Sequence, residues 1–254
     1  METKKIILLS ISSDIAFEVA KDLLKKKFKI IGTYKTSSNK ISKLKKDGVK
    51  LFKLDLSDKK NIDLVAKKIN YFTKKNWDYF ISFAGQLNPI GKIIGTNSNN
   101  WERSIYVNSL GQLRLLSKIL KRNAKRRVLF FSGSGTNGPK NNYSAYTLSK
   151  ILLIKFVELL DSEEKKVIAG ILGPGFIKTK IHKNKKIKTS KKEINKIKKI
   201  VNFIYWFFSQ PKNIVGGRNF SLVSDKLESK RIIKLLKSNK DNFKLRRYGN
   251  NISL

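Results

Sequence analysis

Short apolar runs of strand length alternate with longer stretches of helical periodicity through most of this chain. That alternation constrains the fold more than any other feature. Residues 5–10, 28–34, 50–54, 79–83, 127–132 and 166–172 read as strands. Residues 14–26, 38–47, 61–72, 101–123 and 142–160 read as helices, and in the first of these Ile15, Val19, Leu23 and Leu24 recur at helical spacing. Strands alternating with helices pair in parallel through right-handed crossovers, with helices on both sheet faces. The expected class is α/β, a doubly wound, mainly parallel sheet of about seven strands. One domain is expected to span all 254 residues. Ligands of such sheets bind beyond the carboxyl ends of the strands, so functional residues should follow strands closely.

Composition removes several chemistries. Cysteine is absent and His182 is the only histidine. Disulfides, thiolate catalysis and cysteine metal sites are therefore excluded, and a Ser-His-Asp triad or histidine-rich metal site has little to draw on. No apolar run is long enough to cross a bilayer; the longest patch, 200–208, is short and contains Asn202. The first residues lead directly into a strand-like run, without the longer apolar stretch and small-residue cleavage site of a signal peptide. A cytoplasmic location is expected. Lys and Arg total 56 against 18 acidic residues, a formal net charge of +38, which favours nonspecific association with nucleic acid and other anions. Lysines occur in nearly every segment and outnumber arginines, whereas base readers and phosphate clamps favour arginine. Most of the charge therefore reads as a Lys-, Asn- and Ile-rich composition.

Tyr146 and Lys150 share one helix face at a spacing of four. A lysine ammonium beside a phenol stabilises the phenolate by about 4 kcal/mol at an effective dielectric of about 20, or roughly three pKa units. Such a tyrosine can act as acid or base near neutrality. Spacing alone is common: Tyr71 and Lys75 share it and read as a solvated helix face. Context separates the pairs, because Tyr146 follows a strand that ends in Ser132-Gly133-Ser134-Gly135-Thr136. A serine there can donate to a substrate oxygen while tyrosine gives the proton. Asn108, within a long helix, is a polar residue able to hold a water.

These motifs, in this order, resemble the short-chain dehydrogenase/reductase family over about residues 5–224. Ala84-Gly85 resembles the end of its Asn-Asn-Ala-Gly motif, Asp55-Leu56 its adenine-contacting pair, and Pro174-Gly175 with Thr179 its nicotinamide-side motif. The segments 131–136 and 142–146 resemble members linked to surface-polysaccharide and sugar metabolism. The resemblance implies a Rossmann-like fold and hydride transfer between a nicotinamide cofactor and a small-molecule carbonyl or alcohol. It implies Tyr146 as acid/base, Lys150 as the group that lowers its pKa and holds the nicotinamide ribose, Ser134 (or Ser132) as orienter of the substrate oxygen, and Asn108 as anchor of a relay water. Ser10, Ser12, Ser13, Asp14 and Ile15 would form the pyrophosphate turn, and Pro174, Gly175, Ile177 and Thr179 would line the nicotinamide. A homo-oligomer paired through the helices of Asn108 and Tyr146 is expected.

The sequence also departs from the family. The glycines of the first turn are replaced by Ser10, Asp14 and Ala16, and the Asn-Asn-Ala-Gly motif reads Ser82-Phe83-Ala84-Gly85. Ser10 is expected to narrow the approach to the pyrophosphate. A catalytically weakened binding or scaffold protein is therefore one alternative. A sugar-nucleotide epimerase or dehydratase is another, although those enzymes carry a larger C-terminal substrate domain. No acidic residue ends the second strand to hold a ribose hydroxyl. Lys35, with Ser37 and Ser38, suits a 2′-phosphate, so NADP is expected, with NAD as the alternative. The lysine-rich segment at about 180–200 falls where the family has a substrate lid and suits an anionic or sugar-type substrate. Residues 226–254 read as a polar, basic tail.

Overall fold

The computed structural model describes residues 3–133, 135–177, 191–225, 227 and 230–246. Ser134, Thr179, His182, most of the basic segment and the end of the tail lie outside the described residues. The elements follow the expected alternation. They are β1 (Lys5–Leu9), α1 (Asp14–Lys25), β2 (Lys29–Tyr34), α2 (Asn39–Lys46), β3 (Lys50–Lys53), α3 (Lys59–Thr73), β4 (Tyr79–Ser82) and α4 (Ser98–Ile105). A π-helical segment, Tyr106–Leu110, joins α4 to α5 (Gly111–Ile119). Then come β5 (Arg126–Phe131), α6 (Ser144–Glu163), β6 (Val167–Gly173), α7 (Lys191–Ser209), α8 (Lys212–Val215), β7 (Arg218–Ser221) and α9 (Lys230–Ser238).

The seven strands form one sheet, ordered β3-β2-β1-β4-β5-β6-β7, and every pairing is parallel. The strand order reverses between β1 and β4, which opens a crevice at the carboxyl ends of those strands. Side chains of β1 alternate between two cores. Ile6 and Leu8 join Phe17, Leu23, Phe203 and Phe207 on the face covered by α1 and α7. Ile7 and Leu9 join Val65, Ile69, Trp77, Leu115 and Leu153 on the face covered by α3, α5 and α6. A strand buried on both faces reads as an unbroken apolar run, as Ile6-Ile7-Leu8-Leu9 does.

Several details of these elements go beyond the sequence reading. The helix expected over 101–123 starts earlier, at Ser98, where Asn97 Oδ1 accepts the Asn100 N–H at 3.0 Å. It is interrupted by the π-helical segment and ends at Ile119. The helix expected from residue 142 starts at Ser144, because Asn142 takes a left-handed φ of 68°. The apolar patch at 200–208 is the C-terminal half of α7, with Ile200, Phe203, Ile204 and Phe207 buried in the core of one sheet face. The stretch read as a polar tail contains α9, whose Ile232 and Leu236 are buried. Buried Arg218 secures that return, donating to the carbonyls of Leu236 at 2.7 Å and Asn242 at 3.0 Å.

Candidate active site

The turn after β1 carries the first departure from the family pattern. Ser10 adopts φ +61°, the left-handed region that favours glycine. Its N–H donates to Thr33 Oγ1 at 3.1 Å, and the Ile11 N–H donates to the Thr33 carbonyl at 2.8 Å. Ile11 then packs over Gly32, where a Cβ would lie 2.7 Å from Ile11 Cδ1. The turn thus keeps a glycine-like backbone without glycine, and Ser10 lies behind the cleft rather than in its wall. Ser12, Ser13, Asp14 and Ile15 do border the cleft. Ser13 Oγ caps α1 by accepting the Ala16 N–H at 3.2 Å, and Asp14 is ion-paired with Lys40.

Across the crevice, the ends of β4, β5 and β6 supply Ala84 and Gly85, then Phe131, Ser132 and Gly133, then Gly173, Pro174, Gly175 and Ile177. Tyr146 and Lys150 enter from α6, one turn apart on the same face. All of these border one cleft of about 550 Å³. Gly133 lies against the phenol: a Cβ there would meet Tyr146 Oη at 2.2 Å. By contrast Tyr71 is 89% exposed and Lys75 lies past the end of α3, so the second Tyr/Lys pair is the solvated surface that was expected.

Lys150 is buried, and its Nζ donates to the Phe131 carbonyl at 2.9 Å and the Ala84 carbonyl at 3.4 Å. The ammonium lies 5.6 Å from the centroid of the Tyr146 ring. Burial holds the Lys150 ammonium down to about 8 and pushes the Tyr146 phenol up to about 12. The depression of the phenol expected from the spacing is not present in this arrangement. Removal from water raises the phenol, and the ammonium is turned to the two strand-end carbonyls.

The other expected residues fall elsewhere. Lys35 and Asp55 sit at the ends of β2 and β3 in a separate surface hollow with Thr36, Lys53 and Lys68. Lys35 Nζ lies 2.9 Å from Asp55 Oδ2. Leu56 is buried in the core; its carbonyl would lie 2.5 Å from a Cβ on Gly111. Asn108 is buried in the π-helical segment, and its side chain is committed to the backbone of Gln86. Oδ1 accepts the Gln86 N–H at 2.8 Å and Nδ2 donates to the Gln86 carbonyl at 2.8 Å. Asn108 therefore shapes the loop after β4 from behind the cleft.

Several cleft residues escaped the sequence reading. Phe83, in the altered motif, packs on Phe131 with ring centroids 4.8 Å apart and makes that wall apolar. Lys140 and Tyr143 precede Tyr146 in the loop between β5 and α6, with Lys140 Nζ 5.2 Å from the Tyr143 ring centroid. Among the described lining residues the charged groups are Asp14, Lys140 and Lys150, so the cleft is net positive. A strand-end crevice with a helix N-terminus on one side and a buried lysine on the other fits a dinucleotide.

Comparison with known proteins agrees with this architecture. Over 237 residues, covering 86% of this chain and 95% of the relative, the sequence is 27% identical to a 3-oxoacyl-(acyl-carrier-protein) reductase of Buchnera aphidicola. It is 30% identical over 141 residues to a benzil reductase ((S)-benzoin forming) of Saccharomyces cerevisiae, covering 52% of this chain and 53% of that one. Among solved structures, a short-chain dehydrogenase/reductase of Saccharomyces cerevisiae superposes with a TM-score of 0.71 at 18% identity, over 90% of this chain and 98% of that one. ElxO with NADP bound gives 0.71 at 18% identity, over 87% and 97%. An actinorhodin polyketide ketoreductase with NADPH gives 0.72 at 14% identity, over 87% and 95%. At these identities the structural likenesses show the fold. The family itself is shown by residues 4–190, which match the short chain dehydrogenase family, and the chain belongs to that family of oxidoreductases.

Proposed function

We propose that the chain, acting as a single NAD(P)-binding domain, interconverts a carbonyl and an alcohol with NADP(H), Tyr146 serving as acid/base. The observation that carries this reading is the meeting of Tyr146 and buried Lys150 in one cleft at the carboxyl ends of β4, β5 and β6. Ser12 to Ile15 would hold the pyrophosphate at the start of α1, and Pro174, Gly175, Ile177 and Thr179 the nicotinamide side. NADP is supported by the cofactors named for ElxO and the ketoreductase and by Lys35 at the end of β2; NAD is the alternative.

When bound, the reduced cofactor supplies a hydride to the carbonyl carbon. Tyr146 Oη–H would give its proton to the carbonyl oxygen, so that a C–H and an O–H bond form as the C=O π bond, the Tyr146 O–H bond and the C–H bond that delivers the hydride break. Burial keeps the phenol protonated, so it carries the proton that reduction consumes. The Lys150 ammonium favours the phenolate left behind, which regains its proton from solvent. Ser134 would orient the substrate oxygen, with Ser132 as the alternate.

The substrate would be a small carbonyl compound, anionic or sugar-type. Lys140 at the cleft supports the anionic class, and the Buchnera relative makes 3-oxoacyl thioesters one class to assay. The polysaccharide link rests on sequence resemblance alone. Exposed Leu148 and Leu159 on α6, with Leu110, suit pairing of two copies through these helices. The experiment is a screen of NADPH oxidation against keto-sugars, 3-oxoacyl thioesters and small ketones. Turnover that Tyr146→Phe removes supports the reading. NADPH binding with no turnover of any class would instead favour the weakened relative.

A further inference from the structure

Ser82 closes β4, and Gln112 lies in the first turn of α5; both side chains are buried behind the cleft. Ser82 Oγ donates to Gln112 Oε1 at 2.6 Å and accepts the Ala84 N–H at 3.4 Å. Gln112 Nε2 donates to the Asn108 carbonyl at 2.6 Å, with longer contacts to the carbonyls of Val107 at 3.3 Å and Ala84 at 3.4 Å. The Ala84 carbonyl is also the second acceptor of the Lys150 ammonium. One buried amide therefore joins the end of β4, the π-helical segment and a carbonyl on which Lys150 rests.

A buried amide costs free energy unless its groups are paired. Here both ends are paired, and a fully satisfied buried network fixes a single geometry. Filling the space alone would be met by leucine or methionine. The altered motif is consistent with this, since the short Ser82 stands where the family has asparagine, and the long Gln112 side chain spans the distance from the helix.

We propose that Gln112 and Ser82 are positioning residues for the acid/base centre. They fix the Ala84 carbonyl and the Asn108 segment so that the Lys150 ammonium keeps its place beside Tyr146. The inference rests on the redox reading above. Its test has an arm that needs no turnover.

The test is a double-mutant cycle of Gln112→Met, Ser82→Ala and the pair. It is read by NADPH fluorescence titration across pH, by turnover of a substrate from the screen, and by thermal unfolding. Each single variant is expected to slow turnover about tenfold, with the double no slower than the worse single, because hydrogen-bonded neighbours are non-additive. The pH midpoint of NADPH binding is expected to move by at least about half a unit, since a changed environment at Lys150 changes its titration. A loss of thermal stability without either effect would mean a structural role only and overturn the proposal. So would additive losses, or a parent titration with no midpoint. If Gln112→Met fails to fold, Ser82→Ala, which removes one hydroxyl, carries the same comparison. Failure of the redox reading appears separately, as turnover that survives Tyr146→Phe, and the NADPH titration still reads the Ser82–Gln112 contact.

Discussion

Lys35 Nζ lies 2.9 Å from Asp55 Oδ2, so the cation proposed to receive a 2′-phosphate already faces a carboxylate. Burial alone would raise the Asp55 carboxyl. The Ser57 N–H, Lys35 and the Ser57 hydroxyl outweigh it and hold the group down to about 2. Its folded value lies below the ordinary 3.8, so the stability it contributes is present above that pH and is lost as pH falls toward about 2. Both partners are partly exposed, which screens the pair. Lys35→Asp is expected to weaken NADPH relative to NADH by about tenfold, equivalent to about 1.4 kcal/mol. Asp55→Asn is expected to shift the preference the other way by freeing Lys35. Fluorescence titration with both cofactors checks this, and equal affinities in the parent protein would count against it.

Ser10 holds a left-handed backbone outside the cleft wall. A non-glycine residue there carries strain of about 1 kcal/mol, and a β-branched one carries more. Ser10→Val is expected to lower the unfolding temperature. Ser10→Gly is expected to leave NADPH affinity within about twofold, because no side chain leaves the cofactor cleft. A large gain in affinity from Ser10→Gly would show that the serine does obstruct the cofactor.

Much of the candidate cleft is legible in the sequence. Tyr146, Lys150, Gly85 and Pro174 announce themselves by following strands, and β1 by its unbroken apolar run. The π-helical segment was not legible, because five residues are too few to set an apolar periodicity of their own. Gln112 was visible in principle as the i+4 neighbour of Asn108, but nothing local links it to Ser82. The strand β7 and helix α9 hid behind basic composition. Arg218 is buried only because α9 and the turn after it bring carbonyls to its guanidinium. The tilt of Lys150 toward Phe131 and Ala84 depends on two strands distant in sequence.

Gly133 offers a steric test of the tyrosine's seat. A methyl group at this position would overlap Tyr146 Oη, so Gly133→Ala must displace the ring or the strand end. Turnover is expected to fall by about a hundredfold, since small misplacements at a reacting centre cost that much. Kinetics with unchanged folding by circular dichroism checks it; normal turnover would place the working phenol elsewhere.

Lys150 is expected to set the pH behaviour of turnover. Burial lowers its ammonium to about 8 from 10.5. Reductive turnover is expected to fall as pH rises through about 8, as the charge beside the phenol is lost. The unfolded chain keeps this proton up to the ordinary value, so it binds more protons between the two values and the lysine makes stability rise with pH across that window. Lys150→Met is expected to remove turnover and yet unfold at no lower temperature at neutral pH, where the buried charge is a burden. A marked loss of stability at neutral pH would contradict this.

The most direct test is the turnover of Tyr146→Phe on a substrate that the parent protein reduces. The ring and its packing remain, and only the transferable proton is lost. Turnover is expected to fall by about 10² to 10⁴, while NADPH affinity stays within about twofold and Tyr71→Phe behaves as the parent. Near-normal turnover by Tyr146→Phe would contradict the assignment of this tyrosine as the acid/base.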